Sequence, residues 1–199
     1  MVDLAGETGP LPRSADGRNS TGWWGALCLI ATEAALFAYL LFSYAYVASQ
    51  SGPGWSPEPH PPLALAAPNT AVLLSSSAAV WWGEKGMRSG RPGQHQAGFA
   101  LGIALGLVFL VVQILEWKSK RFTLASGAYG SLYFTITGFH MAHVVVGVIM
   151  LGVVLLWSAA GYFTPRRCTP VLVSSAYWHF VDAVWVAVFF TFDVAPYLV

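Results

Sequence analysis

Apolar residues fall into five long, nearly uncharged stretches separated by polar connections. Each reaches the roughly 17–25 residues that a helix needs to cross a hydrocarbon core about 30 Å thick, and backbone groups inside lipid must pair within their own helix. The predicted spans are residues 22–46, 66–83, 97–115, 128–157 and 171–192. The pattern therefore predicts an all-α membrane protein, a bundle of five transmembrane helices over residues 21–199, preceded by a flexible polar tail at residues 1–20.

Composition agrees with a membrane protein and excludes several other classes. Hydrophobic residues make up 56% of the 199 residues and charged residues only 10%, against roughly 25% charged residues in a soluble domain. The formal net charge of +1 provides no general field for nucleic acid, so no nucleic-acid partner is expected. Two cysteines, Cys28 and Cys168, form no disulfide framework.

Lysine and arginine distribute unequally between the two sides of the predicted bundle. Seven of the ten lie in the amino-terminal tail and in the second and fourth connections, and three lie in the third connection. Because cytoplasmic connections carry the excess of basic residues, we expect the amino terminus on the cytoplasmic side and the carboxyl terminus outside.

Glycines in the third span indicate a helix-packing surface. Gly98, Gly102 and Gly106 follow one another at intervals of four residues, so they share one face of a helix. Small residues allow close approach where membrane helices touch. We expect this stripe to dock against a neighbouring helix.

Ionisable side chains at bilayer depth are costly, and by default they are candidates for function. Five such residues are predicted to form a buried polar layer across three helices: Glu33, His140, His143, His179 and Asp182. Glu33 is expected to meet His140 or His143 across an interface. A further polar pair, Gln113 and Glu116, lies toward the outer end of the third span.

Three interpretations of this layer stay open from the residues themselves. In the first, the polar groups hydrogen-bond between helices and fix the register of the bundle. In the second, the three histidines ligate a metal or haem, for which three imidazoles are sufficient in principle. In the third, the layer forms a proton or ion pathway. No nucleophile motif, phosphate loop or metal cluster of strong spacing is present, so no catalytic residue is predicted.

Two sequence blocks are specific enough to suggest a family. Residues 134–147 read FTITGFHMAHVVVG and residues 177–185 read YWHFVDAVW, with ATEAALF at 31–37. In this order the blocks resemble subunit III of the haem-copper respiratory oxidases, which use cytochrome c or quinol, in a short five-span form. The blocks NTAVLL at 69–74 and VQILEW at 112–117 agree with it.

The resemblance implies a non-catalytic subunit of a respiratory chain complex in a bacterial plasma membrane. Haem and copper are expected in partner subunits, chiefly subunit I, with subunit II also in the complex, and this chain is expected to hold no cofactor or metal. Subunit III packs beside subunit I, binds phospholipid and supports sustained turnover and proton uptake. By position, Glu33 matches the family's buried carboxylate, the histidines and Asp182 match its polar layer, and the family histidines are not haem ligands.

Two departures from the family pattern limit the transfer. Longer members have seven spans, and we expect this chain to lack the first two, which places the lipid cleft of those members in doubt here. Met141 and Ala142 replace the smaller, glycine-led pair between the two histidines. Short relatives also accompany nitric oxide reductases, and a stand-alone carrier or proton channel is the alternative from another class.

Overall fold

Five long helices make up most of the protein in a computed structural model that describes residues 20–52, 55, 63–164 and 168–197. The predicted flexible tail lies outside the described residues except for Ser20. The helices are α1 (Thr21–Gln50), α2 (Leu63–Arg88), α3 (Pro92–Ser119), α4 (Ala128–Ala159) and α5 (Thr169–Phe189). A π-helical turn, Phe190–Val194, and a 3-10 turn, Ala195–Tyr197, continue α5.

All five helices are long and apolar enough to cross a membrane, which confirms the predicted all-α, five-span fold. They extend beyond the apolar stretches that the sequence predicted. At the start of α1, the Ser20 side chain accepts a hydrogen bond from the backbone N–H of Trp23 at 3.1 Å, a standard N-cap contact. The sidedness of the termini stays a prediction.

α2 and α3 form the most extensive helix pair and are joined by a very short connection. Gly90, in this connection, has φ of 69°, a conformation that glycine adopts without steric cost. Pro92 then begins α3, where the missing N–H of proline leaves no helical hydrogen bond unmade. The connection therefore turns the chain back at once, and the two helices pack antiparallel.

The glycine stripe of α3 meets two different helices. A methyl group at Gly98 would lie 2.6 Å from Cα of Gly83 in α2, and one at Gly102 would lie 2.5 Å from a methyl group of Val80. At Gly106 the added methyl group would instead lie 2.6 Å from the ring of Trp178 in α5. Gly98 thus admits the backbone of α2, Gly102 makes room for a side chain of α2, and Gly106 makes room for an aromatic ring of α5.

α5 packs against α1, α2 and α4. Its Trp178 is fully buried, and its indole N–H donates to the hydroxyl of Ser76 in α2 at 3.0 Å. Two turns later, the indole N–H of Trp185 donates to Thr70 of α2, also at 3.0 Å. Polar contacts therefore tie α5 to α2 along an otherwise apolar interface.

α1 is the least enclosed helix, with only Phe37 and Tyr44 buried. Its outer face carries large side chains that stay mostly exposed, among them Tyr39 at 70% and Phe42 at 66%. In a membrane protein such a face contacts lipid or another chain, because water is absent at that depth.

Candidate functional site

Glu33 of α1 and His143 of α4 form the contact that links the first helix to the fourth in the middle of the bundle. Oε2 of Glu33 lies 3.0 Å from Nε2 of His143. The side chains remain 29% and 15% exposed, respectively, so this pair is half-buried rather than part of a sealed core. Of the two histidines that the sequence offered to Glu33, the structure brings His143 to it.

The hydrogen bonds of His143 restrict where its protons can sit. Nδ1 lies 2.7 Å from the carbonyl oxygen of Phe139, and because a carbonyl only accepts, Nδ1 must carry a proton and donate it. The contact between Nε2 and Glu33 then needs one more proton, held by either partner. The pair is therefore either an imidazolium with a carboxylate or a neutral histidine with a protonated glutamic acid, and it can exchange one proton internally.

His140 lies one turn before His143 but in a different environment. It is fully buried, and neither ring nitrogen has a hydrogen-bond partner among the described residues. Aromatic rings surround it: the Trp185 ring centroid lies 4.8 Å away, that of Phe109 5.9 Å and that of Phe37 6.5 Å. His140 thus packs as an aromatic ring, and it does not reach Glu33.

His179 and Asp182 share one face of α5, and Ser77 of α2 lies opposite them. Nδ1 of His179 is 2.7 Å from the Ser77 hydroxyl. Asp182 is 3% exposed, and neither carboxylate oxygen makes a hydrogen bond of good geometry to a described residue, although Ser77 is near enough to interact with it. Ser77 therefore bonds to His179 and lies beside Asp182, and among the described residues the two α5 side chains do not bond to each other.

Gln113 and Glu116 are both buried at the opposite end of the bundle. The amide N–H of Asn69 reaches the side-chain oxygen of Gln113 at 3.5 Å. Glu116 lies 2.8 Å from the ammonium group of Lys120 and accepts a 3.4 Å hydrogen bond from the hydroxyl of Tyr133. The predicted outer pair therefore separates into an amide contact between α2 and α3 and an ion pair that also engages α4.

Two buried ionisable residues were not predicted from the sequence. Asp193, which is 6% exposed, lies in the π-helical turn one residue beyond the predicted end of the fifth span, and it interacts electrostatically with Glu116 and Lys120. His95 is fully buried at the start of α3. It precedes Gly98 by three residues, so extending the glycine stripe by one turn would have identified its buried position.

A cavity of about 400 Å³ opens between α1, α2 and α5 at the end of the bundle that holds the carboxyl terminus of α2. Its walls include Trp23, Trp81, Glu84, Lys85, Arg88 and His179. A guanidinium nitrogen of Arg88 lies 2.6 Å from the Glu84 carboxylate. No motif in the sequence indicated this cavity, because it is formed by three helices that are distant along the chain.

The three mid-span histidines therefore have three different environments: a carboxylate, a cage of aromatic rings and a serine hydroxyl. Among the residues that the structure describes, no three histidine, cysteine, aspartate or glutamate side chains are grouped so that they could hold a metal ion. The polar layer expected from the sequence is divided, within the same described part, into an α1–α4 contact and an α2–α5 contact.

Comparison with known proteins supports the resemblance seen in the two specific blocks. The sequence model of the family described as cytochrome c oxidase subunit III matches residues 19–195. Proteins named cytochrome c oxidase subunit 3 are 36% identical in Cyprinus carpio, 34% in Gallus gallus and 33% in Ornithorhynchus anatinus, each over 171 residues.

These matches cover 81% of this chain and 65% of each relative, so the chain spans less than two thirds of the length of the curated relatives that it matches. The matched region contains all five helices and every residue of the polar contacts described above. The chain belongs to the cytochrome c oxidase subunit III family.

Proposed function

We propose that this chain is a non-catalytic subunit of a haem-copper terminal oxidase, in which partner subunits hold the haems and copper. In that complex, electron transport to oxygen is coupled to proton pumping in aerobic respiration. The observation that carries the proposal is the family match across residues 19–195, which includes all five helices. Subunit I, with subunit II, is the proposed partner.

A stabilising role beside subunit I is supported by what the polar residues contact. Glu33 bonds to His143 between α1 and α4, and His179 bonds to Ser77 between α5 and α2. Each contact joins helices that are far apart in the sequence, and a hydrogen bond between membrane helices contributes roughly 0.6–2 kcal/mol. The polar groups thus give the bundle a fixed shape against which a partner subunit can pack.

Phospholipid binding is proposed at the outer face of α1. Trp24, Tyr39 and Phe42 are exposed there by more than 60% each. Trp24, near the start of α1, suits the boundary between lipid headgroups and hydrocarbon, and Tyr39 and Phe42, further along the helix, offer apolar surface to acyl chains. The part of this face that subunit I leaves uncovered would contact lipid. The membrane is proposed to be a bacterial plasma membrane, with the carboxyl terminus of α2, which carries Lys85 and Arg88, on the cytoplasmic side.

The proposal is tested by purifying the complex through an affinity tag on this chain and assaying haem, copper and oxygen consumption. We expect haem- and copper-containing subunits to co-purify, and the chain stripped of them to show no haem absorbance. Haem retained by the stripped chain would overturn the proposal.

The same preparation separates the alternatives. A complex that consumes nitric oxide instead of oxygen would assign the chain to a nitric oxide reductase. Proton or solute flux through liposomes that contain this chain alone, abolished by Asp182→Asn, would identify a stand-alone carrier or channel.

A further inference from the structure

The cavity between α1, α2 and α5 reaches from the end of the bundle into its interior. Its outer part is bordered by Trp81, which is 59% exposed, and by Arg88, whose side chain is 45% exposed, so this part is open to the surroundings. Its inner part is bordered by His179, ten residues after the first residue of α5. At 1.5 Å per residue, His179 lies about 15 Å along the helix, roughly half of the 30 Å hydrocarbon thickness.

His179 lies between this cavity and the buried side chain of Asp182. Its Nδ1 is occupied by the Ser77 hydroxyl at 2.7 Å. Its other ring nitrogen, Nε2, has no hydrogen bond to a described residue and is not among the fully buried, unpartnered atoms. Because His179 lines the cavity, Nε2 is the nitrogen available to water in the cavity.

Asp182 lies one helical turn beyond His179 on the same face and has no access of its own. It is 3% exposed, both of its carboxylate oxygens lack a partner of good hydrogen-bond geometry among the described residues, and Ser77 is the side chain that interacts with it. A carboxylate in such a place is costly unless it is compensated. Ser77 bonds to His179 at 2.7 Å and lies near enough to Asp182 to interact with it, so a rotation of its hydroxyl could turn it from one to the other.

We propose that the cavity, His179, Ser77 and Asp182 form a one-ended proton inlet that loads a proton onto Asp182 from the side of the membrane that holds Lys85 and Arg88. A proton from cavity water binds Nε2 of His179, and the imidazolium gives its Nδ1 proton to the Ser77 oxygen. The hydroxyl proton of Ser77 passes at the same time to the Asp182 carboxylate. His179 returns to neutral, and Asp182 becomes a carboxylic acid.

The charged groups at the inlet act on the imidazolium intermediate. Glu84 is paired with Arg88 at 2.6 Å, and it also interacts electrostatically with His179, which offsets part of the cost that burial imposes on the imidazolium. Lys85 lies over the ring of Trp81, 5.6 Å from its centroid. α1 contributes Trp23 to the wall, which carries no titratable group.

The inlet ends at Asp182 because the next layer of the bundle is closed. Leu73 is fully buried and Trp185 is 2% exposed, and the indole N–H of Trp185 is committed to Thr70. The arrangement therefore stores and returns a proton on one side, in contrast to a channel that would conduct across the membrane.

The inference deepens the proposed support of proton uptake and rests on that proposal for its physiological meaning. The test is time-resolved infrared spectroscopy of the purified complex after a jump from alkaline to acidic buffer. The Asp182 band is the carboxyl signal that disappears in Asp182→Asn. We expect Ser77→Ala to slow the rise of this band on the order of 100-fold, the lower range for a positioned proton-transfer group, and His179→Phe to slow it similarly.

Ser76→Ala is the matched control, because it removes a neighbouring hydroxyl that serves the Trp178 indole, and it should leave the rate unchanged. Equal rates in Ser77→Ala and the parent protein would overturn the inlet, as would a parent complex with no band that depends on Asp182.

In sealed vesicles, an acid pulse on the Lys85 and Arg88 side should produce the signal. An Asp182 signal that appears only after an acid pulse on the opposite side would overturn the proposed position of the inlet. The measurement does not require the complex to consume oxygen. A negative result for the inlet can therefore be distinguished from a failure of the haem- and copper-containing subunits to co-purify.

Discussion

A close backbone contact between α2 and α3, at Gly98, makes the substitution Gly98→Ala a sharp test of the packing. The added methyl group would lie 2.6 Å from Cα of Gly83 and 2.7 Å from the carbonyl oxygen of Ala79. Carbon atoms pack at about 3.5–4.0 Å, so α2 and α3 would have to separate by about 1 Å. Both obstacles are backbone atoms, which no side-chain rotation can move aside.

The expected cost follows from two opposing effects. Overpacking of a close contact costs typically about 1–3 kcal/mol, whereas alanine in place of glycine favours a helix by up to about 1 kcal/mol. At Gly98 the first effect should exceed the second, with a net loss of about 1–2 kcal/mol. At Gly102 the obstacle is one methyl group of Val80 at 2.5 Å, and the nearest backbone atom is 3.5 Å away, so the two backbones need not separate as far and Gly102→Ala should cost less.

Gly152 provides the matched control, because it lies within α4 and an added methyl group there meets no atom within 4 Å. The assay is the midpoint temperature at which this chain is lost from the detergent-solubilised complex. We expect Gly98→Ala to lower the midpoint most, Gly102→Ala to lower it less, and Gly152→Ala to leave it unchanged or raise it. A Gly98→Ala complex as stable as Gly152→Ala would show that the reasoning from the α2–α3 contact is wrong.

Two further substitutions test the buried polar contacts with the same midpoint assay. Glu33→Leu leaves Nε2 of His143 without its partner, which should cost about 1–3 kcal/mol, whereas Glu33→Gln keeps a hydrogen-bonding group and should cost less. An unchanged midpoint in Glu33→Leu would show that the contact contributes no stability. Lys120→Met isolates the buried Glu116 carboxylate and should cost about 3 kcal/mol or more. Adding Glu116→Gln should recover part of that loss, and a double variant no more stable than Lys120→Met would refute the ion pair's role.

The sequence predicts the architecture well because lipid imposes strong rules on it. Long apolar stretches define five helices, and the four-residue spacing of Gly98 and Gly102 identifies the face that meets α2. The exact ends of the helices were less predictable, since they depend on local contacts. Ser20, for example, caps α1 through a hydrogen bond that hydropathy does not register.

The partners of the polar residues were predicted less completely. The spacing of His140 and His143 puts both on one face, but it does not determine which of them meets Glu33, because that depends on the rotation of α4 against α1. Ser77 belongs to a serine triplet that only lowers the hydropathy of α2, and nothing in its sequence context marks it as the partner of His179. Asp193 was missed because π-helical backbone carries the fifth helix past the apolar stretch.

The contacts between α2 and α5 explain why the position of α5 is so well defined. Trp178 and Trp185 are seven residues apart, two helical turns, so both indoles point from the same face of α5. Their acceptors on α2 run in the opposite direction along the chain, Ser76 for the first and Thr70 for the second. This reversal means that α2 and α5 run antiparallel, as expected for two helices that cross the membrane in opposite directions.

Beside the contact of Trp178 with Ser76, the neighbouring residues His179 and Ser77 also meet, with Nδ1 of His179 2.7 Å from the Ser77 hydroxyl. A rotation of α5 that separated His179 from Ser77 would also break the buried hydrogen bond of Trp178. Apolar packing alone would tolerate such a rotation more readily, since lipid and core side chains are similarly apolar. The tryptophan contacts therefore hold the histidine and the neighbouring aspartate in line with the serine, which makes the geometry of the proposed inlet a consequence of how the bundle is locked.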